Sequence, residues 1–187
     1  MKSTLRAWLV VLALAVPAGS AWGAGVSLAF KGGYFFPSDA VFKETYGNGP
    51  VFGADISVRL SGGLAVWAGA DYFGKTGALT VSEEETKVKI IPVFLGLRYR
   101  FGKSIVQPYV GAAAAFFLFE ESNVLGSVSE NGLGFLGQGG VLIAIGGRFA
   151  VDIFANYRAC TLRTEDPEPL EANIGGLTAG GGLVIRF

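Results

Sequence analysis

From Gly25 onward the chain places an apolar residue at every second position, run after run, and a period of two belongs to strands and not to helices. Ile91, Val93, Leu95, Leu97, Tyr99 and Phe101 share one face of a segment whose other face carries Pro92, Phe94, Gly96, Arg98 and Arg100. Phe149, Val151, Ile153, Ala155 and Tyr157 likewise oppose Arg148, Ala150, Asp152, Phe154, Asn156 and Arg158. Phe52, Ala54, Ile56, Val58 and Leu60 oppose Val51, Gly53, Asp55, Ser57 and Arg59. Helical spacing would scatter these charges around the element. The alternation predicts strands at 26–36, 51–60, 64–73, 88–101, 107–119, 133–145, 148–160 and 174–187.

The connections sort into two kinds. Tight turns at Ser61-Gly62-Gly63, Gly102-Lys103-Ser104 and Gly146-Gly147 follow the even-numbered strands, and long connections at 37–50, 74–87, 120–132 and 161–173 follow the odd-numbered ones. Short turns at one end and long loops at the other are the organisation of an outer-membrane barrel, and an even strand count puts both termini at the short-turn, periplasmic end. The expected fold is therefore all-β, an eight-stranded antiparallel up-and-down transmembrane β-barrel in the outer membrane of a Gram-negative-type cell.

Alternation alone does not say which face is outside, because a soluble barrel also alternates. Composition decides it. Apolar residues make up 51% of the chain and charged residues only 16%, yet no apolar run beyond the N-terminus approaches the roughly 18 residues of a spanning helix. Eight apolar faces cannot all fit inside so narrow a barrel, and exposed to water they would far exceed the apolar patch a soluble monomer tolerates. The apolar face is expected to meet lipid, with Tyr34, Phe36, Tyr72, Tyr99, Phe101, Tyr157 and Phe187 at the edges of the band.

Lys2 and Arg6 precede an apolar stretch from Ala7 to Val16, then Pro17 and the small-residue site Ala21-Trp22-Gly23. This pattern predicts a cleaved signal peptide over residues 1–23 and a barrel domain over 24–187. No cysteine follows the cleavage site, which argues against a lipid-anchored form, and Cys160 stands alone without a disulfide partner. Removing Lys2 and Arg6 leaves a slight acidic excess, so no basic surface points to nucleic acid.

The chain contains no histidine. Barrel families that deacylate or acylate lipid A, cleave phospholipids or cut peptides rely on histidine for general-base or nucleophile activation, so no enzyme is expected. The loop carboxylates could bind divalent cations shared with lipopolysaccharide, but no spacing among them resembles a defined calcium loop, so no metal centre or cofactor is expected.

The polar parity instead carries charge: Lys31, Asp55, Arg59, Asp71, Arg98, Arg100, Asp152 and Arg158, with Arg186 on the last strand. Inside an eight-stranded barrel such ions must be paired. The pattern fits either a structural network that plugs the lumen or a gate in a narrow anion-preferring conduit, helped by Arg59, Arg100, Arg148 and Arg186 near the periplasmic mouth. Lys31 and Asp55 are expected at similar height on neighbouring strands, with Arg98 and Asp152 slightly lower. Most acids fall in the long connections, notably Glu83-Glu84-Glu85 and Glu165-Asp166-Pro167-Glu168, where they suit a solvated surface or a lipopolysaccharide contact. Glycine pairs such as Gly32-Gly33, Gly139-Gly140 and Gly180-Gly181-Gly182 suit a strongly curved wall.

Three segments add a family likeness. Residues 91–101, Ile-Pro-Val-Phe-Leu-Gly-Leu-Arg-Tyr-Arg-Phe, followed by Pro108-Tyr109-Val110-Gly111-Ala112-Ala113, resemble the central hairpin of small OmpW-like and opacity-type porin-like barrels. Lys31-Gly32-Gly33-Tyr34-Phe35-Phe36-Pro37 resembles their first strand, and the final strand with Leu183, Ile185 and Phe187 on one face resembles the signal read by the barrel-assembly machinery. The resemblance implies passage of small or apolar solutes, released sideways through a wall opening. The alternative is a plugged, non-transporting surface barrel whose loops contact lipopolysaccharide or other partners.

Overall fold

The computed structural model describes residues 25–78, 85–123, 126–164 and 170–187. The expected signal peptide and the acids Glu83, Glu84, Glu165, Asp166 and Glu168 lie outside them. In chain order the elements are β1 (Val26–Pro37), α1 (Ala40–Tyr46), β2 (Gly49–Ser61), β3 (Leu64–Ala78), β4 (Glu85–Arg100), β5 (Val106–Asn123), β6 (Gly126–Gly146), β7 (Phe149–Thr164), β8 (Leu170–Asn173) and β9 (Gly176–Arg186).

Eight of these strands close into a barrel. Each of β1 to β7 pairs antiparallel with the next, β7 pairs with β9, and β9 returns to β1. The short β8 only extends a hairpin with β7 above the barrel. The hairpin turns are built as the glycines suggest. Gly62, at φ 57°, bridges Ser61 and Leu64, and Gly147, at φ 51°, bridges Gly146 and Phe149; both occupy the left-handed region that a side chain disfavours.

The strands run further than the apolar alternation predicts. Residues 74–78 and 85–87 extend β3 and β4, and most of 120–132 belongs to β5 and β6. The reason is solvent. Above the lipid band the outward positions turn polar, at Lys87, Lys89 and Glu120, so the hydrophobic signal disappears while the backbone ladder continues. The connection 37–50 also holds a helix that strand periodicity could not show. Asp39 caps α1 by accepting a hydrogen bond from the Phe42 amide at 2.9 Å, and Gly47 ends it at φ 66°.

The faces divide as the parity predicts. Phe30, Phe52, Leu95, Val110, Leu133, Phe135, Ile153 and Leu183 are outward and exposed, and so are all seven aromatics expected at the band edges. Among the described residues no charge occupies an outward position between Lys89 and Glu120 at the loop end and the short turns at the other. That surface is a lipid-facing belt. One stretch of the wall is interrupted. The β3–β4 ladder pairs Ala70 with Val93 and resumes at Phe73 with Ile90, leaving Asp71 and Tyr72 unpaired to Pro92 and Ile91. Pro92 has no N–H to give to β3.

Candidate functional site in the barrel lumen

The inward faces form three layers. At mid-barrel lies a charged plug. Lys31 on β1 contacts Asp55 on β2 at 2.6 Å and Asp152 on β7 at 3.3 Å. Arg98 on β4 reaches Asp55 at 3.4 Å and donates to Gln138 Oε1 at 2.8 Å. The Tyr109 hydroxyl donates to Asp152 at 2.9 Å. Aromatic faces cover the cations: Arg98 sits 4.5 Å from the Trp67 ring and 4.9 Å from Tyr109, and Lys31 sits 4.9 Å from Phe154. A second pair, Arg158 to Asp71 at 3.4 Å, stands nearer the loop end, where Arg158 also donates to Thr178 at 2.8 Å and lies against Phe35.

Glycine makes room for these ions. Lys31 is flanked in register by Gly53 and Gly182, and beyond them stand Asp71 and Asp152. A Cβ at Gly53 would overlap the Asp71 carboxylate, and one at Gly182 would come within 3.0 Å of Lys31 Cγ. Gly69 separates Asp55 from Phe94 in the same manner, and Gly140 separates Tyr109 from Phe154. These inward glycines therefore leave space for the side chains they adjoin, a role beyond the wall curvature expected of them.

Toward the loop end the lumen becomes apolar. Phe35, Val51, Trp67, Phe73, Ile90, Phe94, Phe117, Leu136 and Ile174 pack together, and Phe35, Phe73 and Phe117 retain no exposed surface. Helix α1 closes this layer. Phe42 and Tyr46 pack onto it, the Tyr46 and Thr86 hydroxyls lie 3.3 Å apart, Thr86 donates to Glu121, and Lys75 donates to the Asn48 carbonyl at 2.6 Å. Burial pushes the Tyr46 hydroxyl up to about 12, and Glu121 adds to the rise while the Thr86 hydrogen bond opposes it.

At the turn end Arg59, Arg100 and Arg186 border two cavities of about 310 and 280 Å³. None of the three makes an ion pair among the described residues.

Of the charged residues expected in the lumen, Lys31, Asp55, Asp71, Arg98, Arg100, Asp152 and Arg158 are buried, whereas Arg59 is exposed at the mouth. Lys31 and Asp55 meet as expected; Arg98 joins them through Asp55. Asp71 and Arg158 pair across the lumen from strands that are not neighbours. The sequence reading missed Tyr109, Gln138 and Thr178, whose only signal is inward parity, and the α1 cap. Arg148 lies exposed in a hairpin turn.

Residues 6–187 match the family described as outer membrane protein beta-barrel domain. No curated protein sequence matches the chain. Among solved structures, the outer membrane protein OprG of Pseudomonas aeruginosa superposes with a TM-score of 0.67 at 12% identity, covering 88% of this chain and 96% of that one. Outer Membrane Protein W of E. coli gives 0.54 at 17% identity, with 88% and 98% covered. Neisserial surface protein A gives 0.56 at 19% identity, with 87% and 97% covered. At these identities the likeness is one of fold.

Proposed function

The chain belongs to the outer-membrane protein β-barrel family, and from that premise we propose that it passes small apolar solutes across the outer membrane through its loop end and out sideways between β3 and β4. In this reading the loops face outward, both termini are periplasmic, and the strand ending at Phe187 is the one presented to the assembly machinery. The observation that carries the proposal is the interrupted β3–β4 ladder at Pro92, which has the apolar layer on one side and lipid on the other. An apolar solute that enters past α1 would meet apolar side chains and, at the interrupted ladder, the Asp71–Arg158 pair, before it met the mid-barrel plug. Passage along the axis is opposed by the plug, because a solute there would have to separate Lys31 and Arg98 from Asp55 and Asp152.

The test is uptake of an apolar dye into liposomes holding the refolded barrel, with folding checked by the mobility difference between boiled and unboiled samples. Pro92→Ala returns an N–H to β4 and closes the ladder. Uptake is expected to fall severalfold in that variant while the folded band remains. Equal uptake in both proteins overturns the sideways route.

A second reading is a sealed surface barrel whose loops contact lipopolysaccharide, and the packed lumen favours it: Phe35, Phe73 and Phe117, between cap and plug, retain no exposed surface. A folded wild-type barrel that passes neither apolar dye nor ions would overturn the first reading and favour a sealed barrel.

A further inference from the structure

We infer that Arg59, Arg100 and Arg186 form an oxyanion-binding site at the turn end of the lumen, suited to the phosphate group of a soluble phosphate or of a phospholipid headgroup. The three come from β2, β4 and β9, on inward positions between the plug and the turn end, and all three border both cavities. Lys103 borders the smaller one. Arg100 is the anchor. It is 5% exposed, and among the described residues its Nη2 has no hydrogen-bond partner. Arg59 and Arg186, which border the same cavities, carry its own sign, as does Arg98 two residues before it on β4. Arg186 gives one donor to the Phe149 carbonyl at 3.3 Å, and its buried Nε also has no partner.

The side-chain acids nearest this cluster are already engaged, and Phe187, whose terminal carboxylate is the other anion at this end, borders the larger cavity without an ion pair to any of the three arginines. Asp55 and Asp152 hold Lys31 and Arg98, and Asp71 holds Arg158. Residues 1–24 contain neither Asp nor Glu, and the undescribed acids at 83–84 and 165–168 belong to connections at the opposite end. A buried guanidinium without an anion is costly, and several convergent guanidinium forks match the oxygens of a phosphate group. The arrangement therefore calls for an anion supplied from outside the chain.

The site is independent of solute passage, so failure of the dye experiment leaves it standing. Inorganic phosphate is titrated calorimetrically into the folded barrel in a zwitterionic detergent, and nanodiscs of phosphatidylcholine with phosphatidylglycerol are examined by native mass spectrometry for retained lipid. Wild type is expected to bind one of these probes saturably. Arg100→Met and Arg59→Met should each weaken binding tenfold or more, Arg100→Lys should recover part of it, and Lys89→Ala, on the outer face at the other end, should leave it unchanged. Binding of free phosphate identifies a soluble ligand; retention of phosphatidylglycerol alone identifies a headgroup. Binding of neither probe, or binding equal in wild type and in folded Arg100→Met, overturns the proposal.

Discussion

Asp55 is the acid on which the plug depends, and Asp55→Asn is the substitution that exposes this. Asp55 faces Lys31 at 2.6 Å and Arg98 at 3.4 Å, and all three are nearly free of solvent. With Asp152 the cluster is balanced: two cations against two anions. Amidation leaves Lys31 and Arg98 facing Asp152 alone, one buried charge uncompensated, and removing one member of such a pair costs about 3–5 kcal/mol. Lys31→Met should cost less. Asp55 then keeps Arg98, and Asp152 keeps the Tyr109 hydroxyl at 2.9 Å. The double variant Lys31→Met/Asp55→Asn restores balance, so its loss should fall short of the sum of the single losses by about 1–3 kcal/mol. Unfolding by urea from lipid vesicles, followed by tryptophan fluorescence, measures all three at a shared denaturant slope. An Asp55→Asn loss below about 1 kcal/mol, or strictly additive losses, would refute the balanced-plug account.

Two further outcomes follow from the packing. Gly69→Ala should destabilise the barrel by about 1–3 kcal/mol, since a Cβ there falls 2.5 Å from the Ala54 carbonyl and 2.7 Å from Asp55 Cβ. Gly137→Ala, with nothing within 4 Å, should be neutral in the same unfolding assay, and equal losses would sink the spacing argument. For the cap, the Tyr46 hydroxyl is raised to about 12 by burial, so its neutral form is the one the fold favours. Stability from this group is complete below the unfolded value near 10 and is lost as pH rises through about 12. Ultraviolet difference titration of wild type against Tyr46→Phe should show one phenol ionising late, and ionisation near pH 10 would contradict the burial of Tyr46.

The barrel was legible because lipid on one side and a packed lumen on the other impose a strict alternation on every strand. Inward parity alone identified Lys31, Asp55, Asp71, Arg98, Arg100, Asp152 and Arg158, and outward parity identified the aromatics from Tyr34 to Phe187. The likeness to small outer-membrane barrels read from residues 31–37 and 91–113 is borne out by the family match and by the fold of OprG and Outer Membrane Protein W. Strand ends were not legible, because above the belt both faces are polar. The Asp71–Arg158 pair was not legible either: β3 and β7 are far apart in strand order and meet only across a closed lumen. Helix α1 is too short to display a period, although Asp39 three residues before Phe42 is a capping signal that a loop reading passes over.

The order of the layers bears on how such a barrel could work. Charges placed at the loop end would be hydrated and weakly coupled; at mid-barrel, between aromatic faces, each ion depends on its partner. The plug is thus the least yielding part of the lumen, because moving any member exposes another. Apart from the buried Arg158–Asp71 pair, the apolar layer above it is held by contacts that are individually small, and its cap α1 is anchored through Tyr46, Thr86 and Lys75, not by buried ion pairs. If the lumen opens, it therefore opens from the loop end down to the plug and no further. The interrupted ladder at Pro92 lies between the apolar residues Ile90 and Phe94, above Arg98 on the same strand. On the proposed sideways route the exit would lie at that height, where Pro92 leaves the β3–β4 ladder short of pairings.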